Sequence, residues 1–221
     1  EIKNNGTFNA GDGRVIFNPS SSTGQTVSGT IAFNNVEVNN VSQMTFSGTS
    51  TINGTILLTN DGKITSHPTY GSNATMKIKG AYNISTNRYL WGATGNNVPP
   101  NIVIDSGTVT AQQATNLVKT LTINQGATLD LSASCITLKS TFQGITNNGT
   151  TTLGGVTLES GTTWNIGSDI TLSNLKIPSG ATVNAGSSII NFTYNTTGNC
   201  NASGKIIELV GTGTFNAQNS T

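Results

Sequence analysis

Gly161-Thr-Thr-Trp-Asn165 and Gly180-Ala-Thr-Val-Asn184 state one phrase twice, and the fold follows from it. Each runs glycine, small residue, threonine, apolar residue, asparagine. Gly161 and Gly180 are separated by about 19 residues, an interval that reads as a repeat period. Gly126-Ala-Thr-Leu-Asp130 carries the same phrase earlier, at close to twice that interval from Gly161. A spacing of about 20 residues matches one turn of a solenoid built from three short strands. A coil that small cannot bury its inner face alone, so successive coils must stack and hydrogen-bond along a common axis. At that period, 221 residues imply about 11 coils. A second phrase occurs near both ends, as Gly6-Thr-Phe-Asn-Ala10 and Gly213-Thr-Phe-Asn-Ala217.

Around these phrases the chain reads as strands of roughly three to six residues with period-two alternation, separated by Gly, Asn and Ser. Arg14-Val-Ile-Phe17, Thr30-Ile-Ala-Phe33, Val36-Glu-Val38, Gly54-Thr-Ile-Leu-Leu58, Ala74-Thr-Met-Lys-Ile78 and Asn101-Ile-Val-Ile104 are the early examples. Thr120-Leu-Thr-Ile123, Ile136-Thr-Leu138, Ile170-Thr-Leu172 and Ile189-Ile-Asn-Phe192 follow. Val, Ile and Thr suit a pleated, half-buried surface because branching at Cβ already restricts χ1. Helical periodicity is confined to residues 111–119, a turn or two of helix or else a bent strand.

The predicted fold class is therefore all-β, a single parallel β-helix over 1–221. The alternative is an antiparallel β-sandwich, which also uses short strands and regular turns. Asn60-Asp-Gly62 and Asn147-Asn-Gly149 are its candidate hairpin turns. The repeat interval and the abundance of Asn favour the solenoid, since stacked Asn and Thr side chains form ladders along an axis. One stretch breaks the pattern. Residues 80–100 concentrate Tyr82, Tyr89 and Trp91 beside Pro99 and Pro100, which cannot pair in a central strand, so an irregular excursion is expected there.

Composition narrows the function classes. The chain is 34% hydrophobic and 9% charged, against roughly 25% charged in an average soluble protein. Asn, Thr, Ser and Gly take the place of the missing charge, and such surfaces meet neighbours or carbohydrate through hydrogen bonds. Ten Lys and Arg against nine Asp and Glu are scattered evenly, leaving no basic stripe for nucleic acid. No apolar run approaches the roughly 20 residues of a membrane-spanning helix. Glu1 reads as the start of a mature chain or of an excised fragment. Cys135 and Cys200 are a candidate disulfide of a secreted protein or, equally, two separate thiols.

Several phrases resemble the β-solenoid repeats of large secreted surface proteins of the Bacteroidetes type. Gly6-Thr-Phe-Asn-Ala-Gly-Asp-Gly-Arg-Val-Ile-Phe17 is similar to their recurrent GTF-aGxG-xVxF unit. Gln25-Thr-Val-Ser-Gly29, Phe33-Asn-Asn-Val-Glu-Val-Asn-Asn40, Ser50-Thr-Ile-Asn-Gly-Thr-Ile-Leu-Leu-Thr59 and Gly62-Lys-Ile-Thr65 continue the likeness. It is close as far as about Asp130 and loose beyond it. The resemblance implies a right-handed β-helix or related solenoid on the cell surface, adhesin-like, and implies no reaction.

Residues suited to site chemistry are sparse. Glycoside hydrolysis needs two carboxylates about 5–10 Å apart. The internal acids, Asp12, Glu37, Asp61, Asp105, Asp130, Glu159, Asp169 and Glu208, fall in no shared motif. Lys77 and Lys79 have no acidic neighbour in sequence, so a lyase site is not expected either. Gly11-Asp-Gly13 and Asn60-Asp-Gly62 read as turns rather than calcium loops, and His67 as an exposed loop residue. Tyr82, Tyr89 and Trp91 are candidate glycan contacts, with packing as the competing reading; Trp164, at an apolar position of the phrase, belongs to the core or wall. The pairs Thr108/Thr110, Thr120/Thr122 and Thr150/Thr152 lack the constant interval an ice-binding array would need. Sequons for N-glycosylation include Asn53, Asn73, Asn148 and Asn195, no more than this composition supplies by chance.

The expected function is structural. An open solenoid exposes a strand ladder at each end unless it is capped, and neither terminus reads as a cap. Gly6, Thr7, Phe8 and Phe215, from the phrase shared by both ends, are the candidate polymer contacts. The reading is an extracellular, cell-surface filament subunit that pairs with other copies of itself and is not an enzyme. No cofactor, metal, nucleic acid or membrane span is expected. Alternatives are an adhesin or glycan-binding module of a larger surface protein and, less favoured, a polysaccharide lyase or hydrolase.

Overall fold

The computed structural model describes residues 2–4, 8, 10–19, 24–41, 43–84, 97–111, 115–193 and 207–217. Strands make up 61% of the chain, and the described residues form no helix. Every strand pairing among them is parallel. That excludes the sandwich, whose neighbours run antiparallel. The chain is a β-solenoid.

The register shows how one coil becomes the next. Val15 pairs with Val36, Val36 with Ile56 and Ile56 with Met76, so each coil takes about 20 residues. A seven-stranded sheet from Arg14–Phe17 to Gly144–Asn147 forms one wall. In the early coils the other walls are a four-stranded sheet that ends at Ile64–Ser66 and a three-stranded sheet that ends at Thr69–Tyr70. From Tyr82–Ile84 onward an eight-stranded sheet takes over, joined later by a three-stranded sheet of Thr163–Asn165, Thr182–Asn184 and Thr214–Asn216.

The coils number about 8, not 11. Two of them carry insertions that lengthen the step without adding a rung. Met76 pairs with Ile102 and Lys176 with Glu208, both well beyond the ordinary interval. The first insertion is the excursion expected near 80–100, but it is narrower than that. Tyr82–Ile84 is a wall strand paired with Thr108–Ala111. Pro100 accepts hydrogen bonds from the backbone of Lys119 (3.0 Å) and Thr120 (3.2 Å), so it too belongs to the wall. Residues 85–96 lie outside the described part. The second insertion falls between Thr193 and Ile207, and nothing in its composition marks it in the sequence.

The glycine phrase is a corner followed by a wall strand. Thr162 N–H donates to Glu159 O (3.1 Å) and Ala181 N–H to Pro178 O (3.0 Å). These close turns whose third residues, Gly161 and Gly180, take φ of 81° and 77°, a region costly for any side chain. The next residue, Thr162 or Ala181, is small and buried at the corner. Trp164 and Val183 then point inward, one rung apart in register. Gly126 makes the same turn, but Leu129 pairs with Thr151 in the eight-stranded sheet. The interval from Gly126 to Gly161 is therefore not two stacked coils; the phrase serves two different corners.

The core is the stack of inward side chains, continuous from Phe17 to Val183. Trp164 is fully buried, its ring edge-on to Phe142 at 6.5 Å. Residues 111–119, the one helix candidate, are extended at both ends: Thr108–Ala111 closes one strand and Thr115–Leu117 opens another that pairs with Ile136–Leu138. Outside the wall, polar side chains form ladders. Asn216 donates to Asn184 and Asn184 to Asn165, both at 2.7 Å. An amide can donate to one neighbour and accept from the other, so a column of asparagines satisfies itself rung by rung.

Candidate functional site: the open ends and a groove in the wall

Among the described residues the large apolar side chains left exposed are Phe8, Ile16, Ile189, Ile207, Leu209 and Val210. All precede Phe17 or follow Ser188, so exposed apolar surface concentrates in the first and last coils. At the last coil, Ile207 and Leu209 pair with Leu175 and Ile177 and so occupy core columns. Leu175 and Ile177 are wholly buried, whereas Ile207 is 36% and Leu209 54% exposed, with no described coil stacked beyond them. Phe215 pairs with Val183 and is half-buried. At the first coil Phe8, 39% exposed, lies against Phe33 with ring centroids 5.7 Å apart. Phe17 and Phe46 flank the same ring at 6.4 Å each. Gly6 and Thr7 lie outside the described residues.

Among the described residues, the end strands also lie at sheet edges. Ile2–Asn4, Arg14–Phe17 and Ile31–Phe33 stand at the near edges of their sheets, and Ile190–Phe192, Ile207–Leu209 and Thr214–Asn216 at the far edges. Among the described residues, both ends thus combine exposed apolar side chains with strands at the edges of their sheets.

The fold gives every internal acid a partner. Arg14 meets Glu37 at 3.1 Å, Lys77 meets Asp105 at 3.0 Å, Lys139 meets Glu159 at 3.2 Å and Lys176 meets Glu208 at 3.3 Å, each pair bridging neighbouring rungs. Lys63 pairs within its own turn with Asp61 at 2.8 Å. Asp12 accepts from the Asn34 amide (3.1 Å), Asp130 from Ser132 N–H (2.9 Å) and Asp169 from Ile189 N–H (2.8 Å). Lys77 was thus isolated only in sequence: one coil places a carboxylate beside it. The Ser140 backbone N–H and then Lys139 hold the Glu159 carboxyl below its ordinary range. Among the described residues, no three of His, Cys, Asp and Glu cluster so as to hold a metal ion.

The aromatic candidates separate. Tyr82 is 2% exposed, an inward residue of its strand, so its ring is no platform for a sugar; this corrects the glycan-contact expectation for it. Burial, and secondarily the Asp61 carboxylate, push its hydroxyl well above the usual tyrosine range. Tyr89 and Trp91 lie outside the described residues. His67 is partly buried and its Nδ1 lies 3.0 Å from the hydroxyl of buried Tyr70, which also corrects the exposed-loop reading.

Asn53, Asn73 and Asn148 are on the outer surface, and Asn195 lies outside the described residues. Cys135 is disulfide-bonded; the chain has one other cysteine, Cys200, which is also outside them. Thr108, Thr128 and Thr150 stack in register despite their unequal spacing, but Asp130 interrupts the companion column between Thr110 and Thr152, and Thr120/Thr122 face elsewhere on the seven-stranded sheet.

One concavity in the wall was missed from sequence. A groove of about 340 Å³ is lined by Glu37, Asn39, Thr59, Asn60, Lys79 and Ser106. Asn39, Thr59 and Lys79 pair in register on successive rungs. Each stands one coil length from the next, so the period itself was the signal that could have joined them.

A parallel β-solenoid with a polar wall and apolar side chains exposed in its first and last described coils is the class these features define. Comparison with protein-family models, with curated proteins and with solved structures found no match for the chain.

Proposed function

We propose that the protein is an extracellular structural subunit whose copies stack end to end into a surface filament. The observation that carries this reading is the placement of the exposed apolar residues. Ile207 and Leu209 lie in core columns at one end and Phe8 joins a phenylalanine cluster at the other. Stacking the first coil of one copy on the last coil of the next would bury Ile207, Leu209 and Phe8 and extend the strand ladders. Such a contact joins two different surfaces, so it repeats without closing and yields an open fibre. The partnered acids support a non-enzymatic role, since each carboxylate is committed to a structural contact.

The test is sedimentation velocity on the wild-type chain and a Leu209→Asp variant. The wild type is expected to form larger species as concentration rises, and the variant to stay monomeric with an unchanged circular-dichroism spectrum. A wild type that stays monomeric at high concentration would overturn the reading. A second reading draws on the same edges. In an adhesin-like module of a larger surface protein, flanking coils of the same chain would cover them, and the fragment would associate only where those coils are missing.

A further inference from the structure

We propose that the groove in the seven-stranded wall binds an acidic saccharide, a hydroxyl-rich chain carrying a carboxylate, independently of any stacking at the ends. The groove follows the solenoid axis. Asn39, Thr59, Lys79 and Ser106 occupy four consecutive rungs, which at ~4.8 Å per rung spans about 14 Å. Its volume of about 340 Å³ falls in the range of small-ligand sites, about 300–1,000 Å³. Its lining is unusual for such a site, with one carboxylate, two amides, two hydroxyls and one ammonium, and no aromatic ring.

The charge arrangement selects the ligand. Between Ile78 and Lys79 the pairing with the next strand shifts: Ile78 faces Ile104 but Lys79 faces Ser106, leaving Asp105 as the extra residue of a bulge. Bulges re-aim side chains, and this one sends the Asp105 carboxylate to Lys77 (3.0 Å) and the Asn124 amide (2.9 Å). Lys79 is left exposed with no ion-pair partner among the described residues. On the other side Glu37 is held by Arg14 at 3.1 Å and by the Thr59 hydroxyl at 3.3 Å. A fixed carboxylate so near would repel a polyanion such as a nucleic acid or a polyphosphate. A free ammonium attracts a single anionic group.

The polar groups between them are already in place. The Asn60 amide donates to Asn39 Oδ1 at 2.8 Å, which leaves the Asn60 carbonyl, its second N–H and the Asn39 amide N–H groups for a ligand. Asn60 and Asp61 hold positive φ, 47° and 61°, in a turn closed by Gly62 N–H to Thr59 O at 2.9 Å. That turn fixes the rim before any ligand arrives, so little ordering remains to oppose binding. An amide, a hydroxyl, an ammonium and a hydroxyl on successive rungs suit the hydroxyls of successive sugar rings, with Lys79 on the carboxylate.

Isothermal titration calorimetry of the full chain with a short neutral oligosaccharide that ends in one glucuronate, and with its neutral methyl ester, tests the proposal. The expected result is binding of the acid form, weaker binding of the ester, and a loss of about tenfold or more in affinity for Lys79→Ala, the scale of one charge-assisted hydrogen bond. Asn60→Ala should weaken binding of both forms, whereas Lys139→Ala, on a distant part of the wall, should leave it unchanged. Lys79 is exposed, so the variant should keep the wild-type Tm. No binding of the acid form, equal binding of the ester, or an unaffected Lys79→Ala would each overturn it.

Discussion

The middle of the solenoid and its last coil are built from the same residues with opposite results. Ile136, Val156, Leu175 and Ile207 form one column, in register rung by rung. The first three are buried and the fourth is exposed. Chemistry and backbone are alike; the difference is that no described coil stacks above Ile207. Burial in a stacked fold is a property of the neighbour, not of the residue. The first coil handles the same exposure differently. There Phe8 folds over Phe33, and Phe17 beside them is almost buried.

Substitutions made in pairs, one in the middle and one at the end, probe this contrast. The largest difference is expected for Trp164→Ala against Phe215→Ala, which share a sheet and are joined through Val183. Truncating the buried indole should cost about 3–5 kcal/mol in urea unfolding, and truncating the half-buried Phe215 far less in the monomer. Leu175→Ala should cost about 2–5 kcal/mol, while Ile207→Ala should scarcely change monomer stability but should weaken association. If Ile207→Ala destabilises the monomer as much as Leu175→Ala, the last coil is not open.

The polar ladder allows a finer comparison. Asn184 both donates to Asn165 and accepts from Asn216, whereas Asn216 only donates. Asn184→Ala should therefore cost about 1–3 kcal/mol, two contacts at roughly 0.5–1.5 kcal/mol each, and Asn216→Ala about half as much. The smallest effect concerns charge. Glu159 has its carboxyl lowered from an ordinary value of 4.5 by the Ser140 N–H and Lys139. A lowered group stabilises the fold above its unfolded pKa and loses that contribution as pH falls through the folded one. Thermal melts should show the wild type losing an advantage over Glu159→Gln below about pH 4.5. The group is exposed, so the difference should be small and should shrink with salt.

Much of the wall was legible in the sequence because β-branched alternation is a local signal. Thr120–Ile123 is a strand with the very bounds its residues suggest, and Trp164 is as buried as its place in the phrase requires. The repeat interval gave the stacking direction, since Trp164 and Val183 pair across one repeat of the phrase. What failed to show was anything that depends on which corner a turn serves. The Gly126 phrase looked like another rung of the Gly161 stack and lies in a different sheet. Tyr82 looked like part of an aromatic excursion because Tyr89 and Trp91 follow it, yet its own strand alternation turns it inward. The groove and the ion pairs were hidden for a single reason. Glu37, Thr59 and Lys79, or Lys77 and Asp105, become neighbours only after the coil length is known, and the insertion before Asn101 lengthens that coil beyond its predecessors.

The most direct test of end-to-end stacking is negative-stain electron microscopy of the chain at rising concentration. About 8 coils at ~4.8 Å each make a subunit roughly 40 Å long. Filaments with an axial repeat near that length, lost in Leu209→Asp, are the predicted result. Dispersed single rods at every concentration would contradict it.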